Sequence, residues 1–229
     1  MRTIGLIGGM SWESSAEYYR LINQQVRDHL GALRSARLLM YSVDFGPVEQ
    51  AQHTGDWDAA AAILVQAAHC LEAGGAECLV LCTNTMHKVA APIQAATALP
   101  FLHIADPTAQ AALAAGHLKV GLLGTAFTME QDFLKQRLVD QGLQVLAPDA
   151  EERQAVHRII YEELCVGIIR DDSRRLYQRV IQSLKARGAQ AVILGCTEIG
   201  LLLKPEHSPV PLLDTTVLHA QAAVAFALG

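Results

Sequence analysis

The chain has little that would tie it to nucleic acid or to a membrane. Its 18 lysines and arginines are outnumbered by 23 acidic residues, for a net charge of −5, and neither sign gathers into a run or a tail. A diffuse, mildly acidic charge gives no footprint for a polyanion or an anionic bilayer. No apolar stretch approaches the roughly 20 residues needed to span a bilayer. The N-terminus, Met1 to Gly9, has one basic residue and a very short apolar run, so it reads as a first strand and not as a signal peptide. Cysteine is sparse and odd in number: Cys70, Cys78, Cys82, Cys165 and Cys196. That argues against a disulfide framework and for a reducing cytoplasm. The glycines between Gly5 and Gly9 do not form G-x-G-x-x-G, and no Walker lysine follows them. Cys78, Cys82 and His87 lack a familiar zinc spacing, and no second cysteine pair completes one, so no metal is expected.

What the chain does have is apolar content, 51% of 229 residues, enough for one large domain or two smaller ones. The apolar residues fall into short Val- and Leu-rich runs separated by helical patterns. Such runs read as buried parallel strands. Strands are predicted at Ile4 to Ile7, Arg37 to Val43, the run into Cys82, Phe101 to Ile104, the run from Lys119, Leu143 to Leu146, the run into Cys196, and Val210 to Leu213. Ser11 is a plausible N-cap for a helix from Trp12 to His29, whose Tyr18, Leu21, Ile22, Gln25 and Val26 share a face. Further helices are predicted over Trp57 to Ala73, from Thr85, after Asp106-Pro107, around Met129 to Leu138, over Glu151 to Leu164, Ser173 to Arg187 and Thr215 to Leu228. Asp44 to Asp56, with Gly46 and Pro47, reads as a loop, and Cys70 as a packing residue.

The pattern occurs twice. Ile4-Gly5-Leu6-Ile7-Gly8-Gly9 is echoed by Val120-Gly121-Leu122-Leu123-Gly124-Thr125. Leu81-Cys82-Thr83 is echoed by Gly195-Cys196-Thr197, and the interval from the early glycine to the cysteine is 77 residues in the first copy and 75 in the second. A repeated sequence implies a repeated architecture. The expected fold is α/β, with two pseudo-symmetric domains, each a parallel four-stranded sheet flanked by helices and with the active site in the cleft between them. The domains are placed at 1–105 plus 215–229, carrying Cys82, and 106–214, carrying Cys196.

Each Cys-Thr pair stands where a strand hands over to a loop and helix, the edge at which open α/β sheets bind ligands. Two thiols facing one small molecule suit proton transfer at both faces of a carbon. Racemisation of an amino acid needs this: one thiolate takes the α-proton and the opposing thiol donates another. A helix N-terminus lowers a thiol pKa, so both cysteines are expected to ionise near neutral pH. The same N-termini offer N–H groups to a carboxylate. Thr83, Asn84, Thr85 and Thr197 add uncharged polar groups for carboxylate and ammonium.

On Cys82-Thr83-Asn84-Thr85-Met86-His87 and Gly195-Cys196-Thr197-Glu198, the chain resembles the aspartate/glutamate racemase family. Gly8-Gly9-Met10-Ser11-Trp12-Glu13-Ser14 and His103-Ile104-Ala105-Asp106 extend the resemblance essentially from end to end. It implies racemisation without pyridoxal phosphate or metal, a pair of α/β domains and a homodimer. Carried over, Cys82 and Cys196 are the acid/base thiols, Asn84 and Thr85 bind the substrate carboxylate, and Met10, Thr125 and Thr197 line the cleft.

Members selective for acidic amino acids place one cationic side chain near Val48 to Gln52 and a lysine near Glu162 to Gly167. Neither stretch has a lysine or arginine here; Gln50 or Gln52 and Cys165 stand instead. Without a fixed cation a side-chain carboxylate loses a charge-assisted hydrogen bond. A broad or neutral preference is therefore expected, with Gln52 and Cys165 in the substrate pocket. Two other readings stay open: a related maleate isomerase or malonate decarboxylase, and a two-lobed binding protein without catalysis. Paired thiols weigh against a pure decarboxylase, for which one proton-donating thiol can suffice, and against the binding protein.

Overall fold

Four apolar runs have no polar alternation, and in the computed structural model, which describes residues 1–229, these become the central strands of two sheets. β1 (Ile4–Gly8) and β3 (Cys78–Leu81) are buried throughout, as are β5 (Lys119–Gly124) beyond its first residue and β7 (Ala191–Gly195). The flanking strands, β2 (Leu38–Ser42), β4 (Phe101–Leu102), β6 (Gln144–Leu146) and β8 (Leu212–Asp214), are only partly covered, as sheet edges are. One sheet has the order β2-β1-β3-β4 and the other β6-β5-β7-β8, and every pair is parallel. The repeat in sequence is thus a repeat in topology.

The chain divides into two compact units, Met1–His103 with His219–Gly229, and Ile104–Leu218. In the first unit, Ile7, Leu79 and Leu81 face a core built with α3 (Trp57–Ala73). Ile4, Leu6, Cys78, Val80 and Cys82 face the opposite core, formed with α1 (Trp12–Leu30) and the later turns of α11 (Thr215–Leu228). The period of two along β3 puts Cys78 and Cys82 on one face, with Cys78 deeper. In the second unit, Val192 and Leu194 pack against α8 (Ala150–Glu162) and α9 (Asp171–Ala186). Ala191 and Ile193 pack toward α5 (Ala105–Ala114) and α7 (Asp132–Asp140).

Several local signals are realised. Ser11 caps α1 by accepting from Ser14 N–H at 3.3 Å. Asp149 and Glu152 form a reciprocal capping box on α8.

Four expectations need correction. Asp44 to Asp56 is not a loop, because Phe45–Thr54 forms α2. Asp44 caps it, accepting from Gly46 N–H at 3.1 Å, and Gly55 closes it in the left-handed conformation at φ 75°. Pro47 falls in the first turn, where a missing N–H costs nothing. The helix expected from Thr85 starts as a 3₁₀ turn, Thr85–Val89, and only then becomes α4 (Ala90–Ala96), with Pro92 in its first turn. The pattern around Met129 to Leu138 is two helices, α6 (Ala126–Glu130) and α7, broken at extended Gln131. Cys70 is exposed, since the buried stripe of α3 runs through Ala60, Leu64, Ala67, Ala68 and Leu71. Trp57 packs its ring under Lys88, whose Nζ lies 3.8 Å from the ring centre, while Trp12 is 67% exposed.

Candidate functional site

In each unit the two central strands end side by side, and the predicted residues follow directly. Ile7 pairs with Leu81, so the Gly8-Gly9-Met10 turn and Cys82 leave adjacent strands at one level. Gly124 pairs with Gly195, so Thr125 and Cys196 do the same in the second unit. These are topological switch points, because the chain moves from β1 to opposite sides of the first sheet and from β5 to opposite sides of the second.

In the first unit the turn after β1 needs glycine. Gly9 has φ 96°, and its N–H donates to Ser15 Oγ at 2.8 Å. Val43 N–H reaches back to the Gly8 carbonyl at 3.0 Å. Met10 is buried beside this turn. Cys82 is fully buried; its N–H donates to Ile7 O at 2.9 Å, and Sγ lies 3.8 Å from Val80 O. Thr83 is half-buried, and Asn84 and Thr85 are buried. Gln52, on α2, is also buried, and its Nε2 lies 2.9 Å from Met86 Sδ, one residue past Thr85. Its Oε1 is buried without a hydrogen-bond partner. The structure therefore brings Met10, Gln52, Cys82, Thr83, Asn84 and Thr85 to one edge of this unit.

In the second unit Thr125 caps α6, accepting from Thr128 N–H at 3.4 Å. Ala126 N–H donates to His157 Nδ1 at 3.1 Å, so that ring carries its neutral-state proton on Nε2. Cys196 Sγ–H donates to Glu198 Oε2 at 2.9 Å, and Glu198 is itself only 6% exposed. Thr197 Oγ1 accepts from Thr216 at 3.2 Å. Cys165 and Tyr161 are half-buried against the core that Cys196 also flanks. From the sequence, Glu198 reads either as a partner of a helix N-terminus or as a group that tunes Cys196, and the 2.9 Å contact matches the second; His157 has no place in the sequence reading of the site. The Cys-Thr-Glu spacing is a signal for Glu198, and His157 has none, lying 31 residues from its partner.

The electrostatics differ from the expectation of depressed thiol pKa values. Burial pushes the Cys82 thiol well above the ordinary range. Burial also raises Cys196, and the Glu198 carboxylate and Cys165 beside it add to the effect. Two short elements explain the reversal: Cys82 precedes a 3₁₀ turn, and Cys196 precedes the four-residue α10 (Ile199–Leu202). Neither supplies the dipole of a full helix, so lost hydration decides. Cys78, pushed by burial to about 11, is core. Cys78, Cys82 and His87 belong to no cluster that would hold a metal ion, and no helix is long and apolar enough to cross a membrane.

The sequence profile of the Asp/Glu/hydantoin racemase family matches residues 7–223. A crystal structure described as a candidate Asp/Glu racemase from Yersinia pestis is 55% identical, covers 100% of both chains and superposes with a TM-score of 0.95. An aspartate racemase homologue from Pyrococcus horikoshii OT3 is 33% identical over 100% of both chains, with a TM-score of 0.89. The broad specificity amino-acid racemase RacX of Bacillus subtilis is 24% identical over 96% of each chain.

Proposed function

The chain belongs to the Asp/Glu/hydantoin racemase family, and on that premise we propose that it interconverts L- and D-amino acids without pyridoxal phosphate, using Cys82 and Cys196 as its two acid/base groups. The observation that carries this reading is the duplication. The same strand order twice delivers a Cys-Thr pair to the carboxyl end of its third strand, once in each unit.

One cysteine, as thiolate, takes the α-proton, and the electron pair of the C–H bond stays on the α-carbon, spread toward the carboxylate. The other cysteine, as thiol, gives its proton to the opposite face. One sulfur gains a proton and the other loses one, and exchange with water resets the pair. The uncharged groups of Thr83, Asn84, Thr85, Thr125 and Thr197 bind carboxylate and ammonium. Glu198 receives the Cys196 proton and returns it, which its 2.9 Å contact with Sγ supports.

We also propose a broad preference that includes neutral amino acids. Gln52 is buried on α2, and Cys165 stands half-buried in the second unit; neither stretch around them supplies a fixed cation. RacX, a broad-specificity relative by its name, is consistent with that choice. Incubation in deuterated water with a panel of L-amino acids tests both parts. Deuterium is expected at the α-carbon of several neutral substrates, together with the D-enantiomer. Exchange with no amino acid would sink the racemase reading. A preference of about 10²-fold in kcat/KM for aspartate or glutamate, the worth of about two charge-assisted bonds, would sink the breadth.

The pH dependence has a definite sign. Burial holds both thiols protonated near neutral pH, whereas the competent enzyme has one thiolate. Raising the pH populates that state, so kcat/KM is expected to climb from pH 7 to 9 by up to about tenfold per unit. Glu198→Gln removes a charge that raises Cys196, so its rising limb shifts to lower pH while the maximal rate falls. A profile flat from pH 7 to 9 contradicts this account.

A further inference from the structure

A second set of titratable groups lies under the Cys82 loop, and the reaction just described does not use it. His87, His103 and His219 are all buried, at 3%, 4% and 0% exposure. The ring of His87 lies 4.5 Å from that of His103, 5.9 Å from that of His219 and 5.7 Å from that of Phe101, centre to centre. Three imidazoles packed this closely are not a hydrophobic cluster, because each ring nitrogen must find a partner once buried. Their partners define the arrangement.

His87 Nδ1 is 2.7 Å from Thr83 O. A carbonyl only accepts, so Nδ1 carries the proton and donates it. The backbone N–H of His87 donates to Asn84 O at 3.1 Å. One residue thus fixes two consecutive carbonyls of the loop that begins at Cys82. At its other end the loop is fixed by Cys82 N–H to Ile7 O and Thr83 N–H to Leu81 O, both 2.9 Å. The Thr83 carbonyl lies beyond β3 and before the 3₁₀ turn, so no regular element uses it.

The ring is itself braced. His219, on α11, donates from Nε2 to Leu102 O at 2.6 Å, and its neutral ring accepts at Nδ1 from Tyr18 O–H, on α1, at 2.8 Å. The Tyr18 and His219 rings meet edge-on at 5.6 Å. The support for His87 therefore comes from α1, β4 and α11. Hydrogen bonds in so dry a place hold position more firmly than the same bonds in water.

We infer that His87 is a positioning residue for Cys82: its Nδ1–H grips the Thr83 carbonyl and sets where the neighbouring sulfur meets the α-carbon. The inference rests on the two-thiol reading above, and it is specific to one thiol, since the contacts of His87 named above lie in the unit that carries Cys82. A displacement of about 1 Å at a reacting atom costs on the order of 10²-fold in rate.

The test measures each thiol separately, using L- and D-3-chloroalanine. Removal of the α-proton by one thiolate lets the C–H electron pair form the Cα=Cβ bond as the C–Cl bond breaks and chloride leaves. The aminoacrylate so formed takes up water to give pyruvate and ammonium, and pyruvate is assayed. One base suffices, so each enantiomer reports one cysteine, and Cys82→Ser and Cys196→Ser establish which. His87→Leu is expected to slow elimination from the Cys82 enantiomer by about 10²-fold and to leave the other within about threefold. His87→Asn places an N–H where Nδ1 stood and is expected to restore the rate to within about fivefold. His87→Gln carries its N–H one carbon further out, is expected to behave as His87→Leu, and serves in its place should that variant fail to fold.

Equal losses on both enantiomers, no loss on either, or no rescue by Asn overturns the inference and leaves the two-thiol reading standing. Wild-type elimination from neither enantiomer overturns both.

Discussion

Cys82→Ser and Cys196→Ser are each expected to lower racemisation by about 10³-fold, within the range that one acid/base group supplies. The two losses are not expected to add in the double variant, because either thiol without the other cannot complete the inversion. The decisive detail is what survives. A variant with one thiol still has a base for one enantiomer, so it is expected to exchange the α-proton of that enantiomer with solvent while forming almost none of the other. Chiral chromatography and α-deuterium content, measured on the same sample, separate the outcomes. A single variant that racemises at the wild-type rate removes that cysteine from the mechanism. Cys82 is fully buried, and a hydroxyl there costs on the order of 1–3 kcal/mol if its bond to the Val80 carbonyl is poor. Cys82→Ala, which buries no polar group, guards against reading a folding defect as lost chemistry.

Gly9→Ala is expected to be the most damaging small substitution for stability. Gly9 has φ 96°, and a Cβ on it would stand 2.2 Å from Val43 O and 2.6 Å from Val43 N. Both atoms are backbone, held by the Val43 N–H bond to Gly8 O, so no side-chain rotation relieves the clash. The strand end must move, and a loss of more than about 3 kcal/mol follows. For a chain of this size that lowers Tm by about 10 °C. Gly55→Ala is the control. It has φ 75° with nothing within 4 Å of the added carbon, so only the left-handed backbone cost of about 1–2 kcal/mol applies. Thermal unfolding of both variants checks the contrast, and equal losses would show that crowding at Val43 is not the cause. Because Gly9 adjoins Met10 and bonds Ser15, whatever Gly9→Ala protein folds is also expected to lose activity.

Much of this molecule was legible because its signals are local. Strand runs such as Leu79 to Leu81 and Val192 to Leu194 are apolar on every residue, as a short strand buried on both faces is, and the glycines and polar residues that bound them set the length. Ser11 before Trp12 announces a helix start by its side-chain oxygen, and the structure uses it so. The recurrence of Gly-apolar-apolar-Gly and of Cys-Thr at similar intervals places both thiols at equivalent strand ends, and the two sheets have matching strand orders. A missed helix, α2, was hidden by Gly46 and Pro47, which break a helix in its middle but are harmless in its first turn.

What only the tertiary structure decided are properties that depend on distant neighbours. The sign of the thiol shifts is one: the residues after Cys82 and Cys196 suggest helix N-termini, but burial by the rest of each unit outweighs one short turn. The pairing of Tyr18 with His219 joins positions 201 apart, and no window of sequence contains both. Glu198 was visible two residues after Cys196, yet its side chain reaches Sγ only because the chain turns there into α10. A strand, a cap and a repeat are written in neighbouring residues, because their energies come from neighbouring residues. Ionisation and the support of a reactive loop are set by whatever the fold packs around them, and that is fixed only once the whole unit has formed.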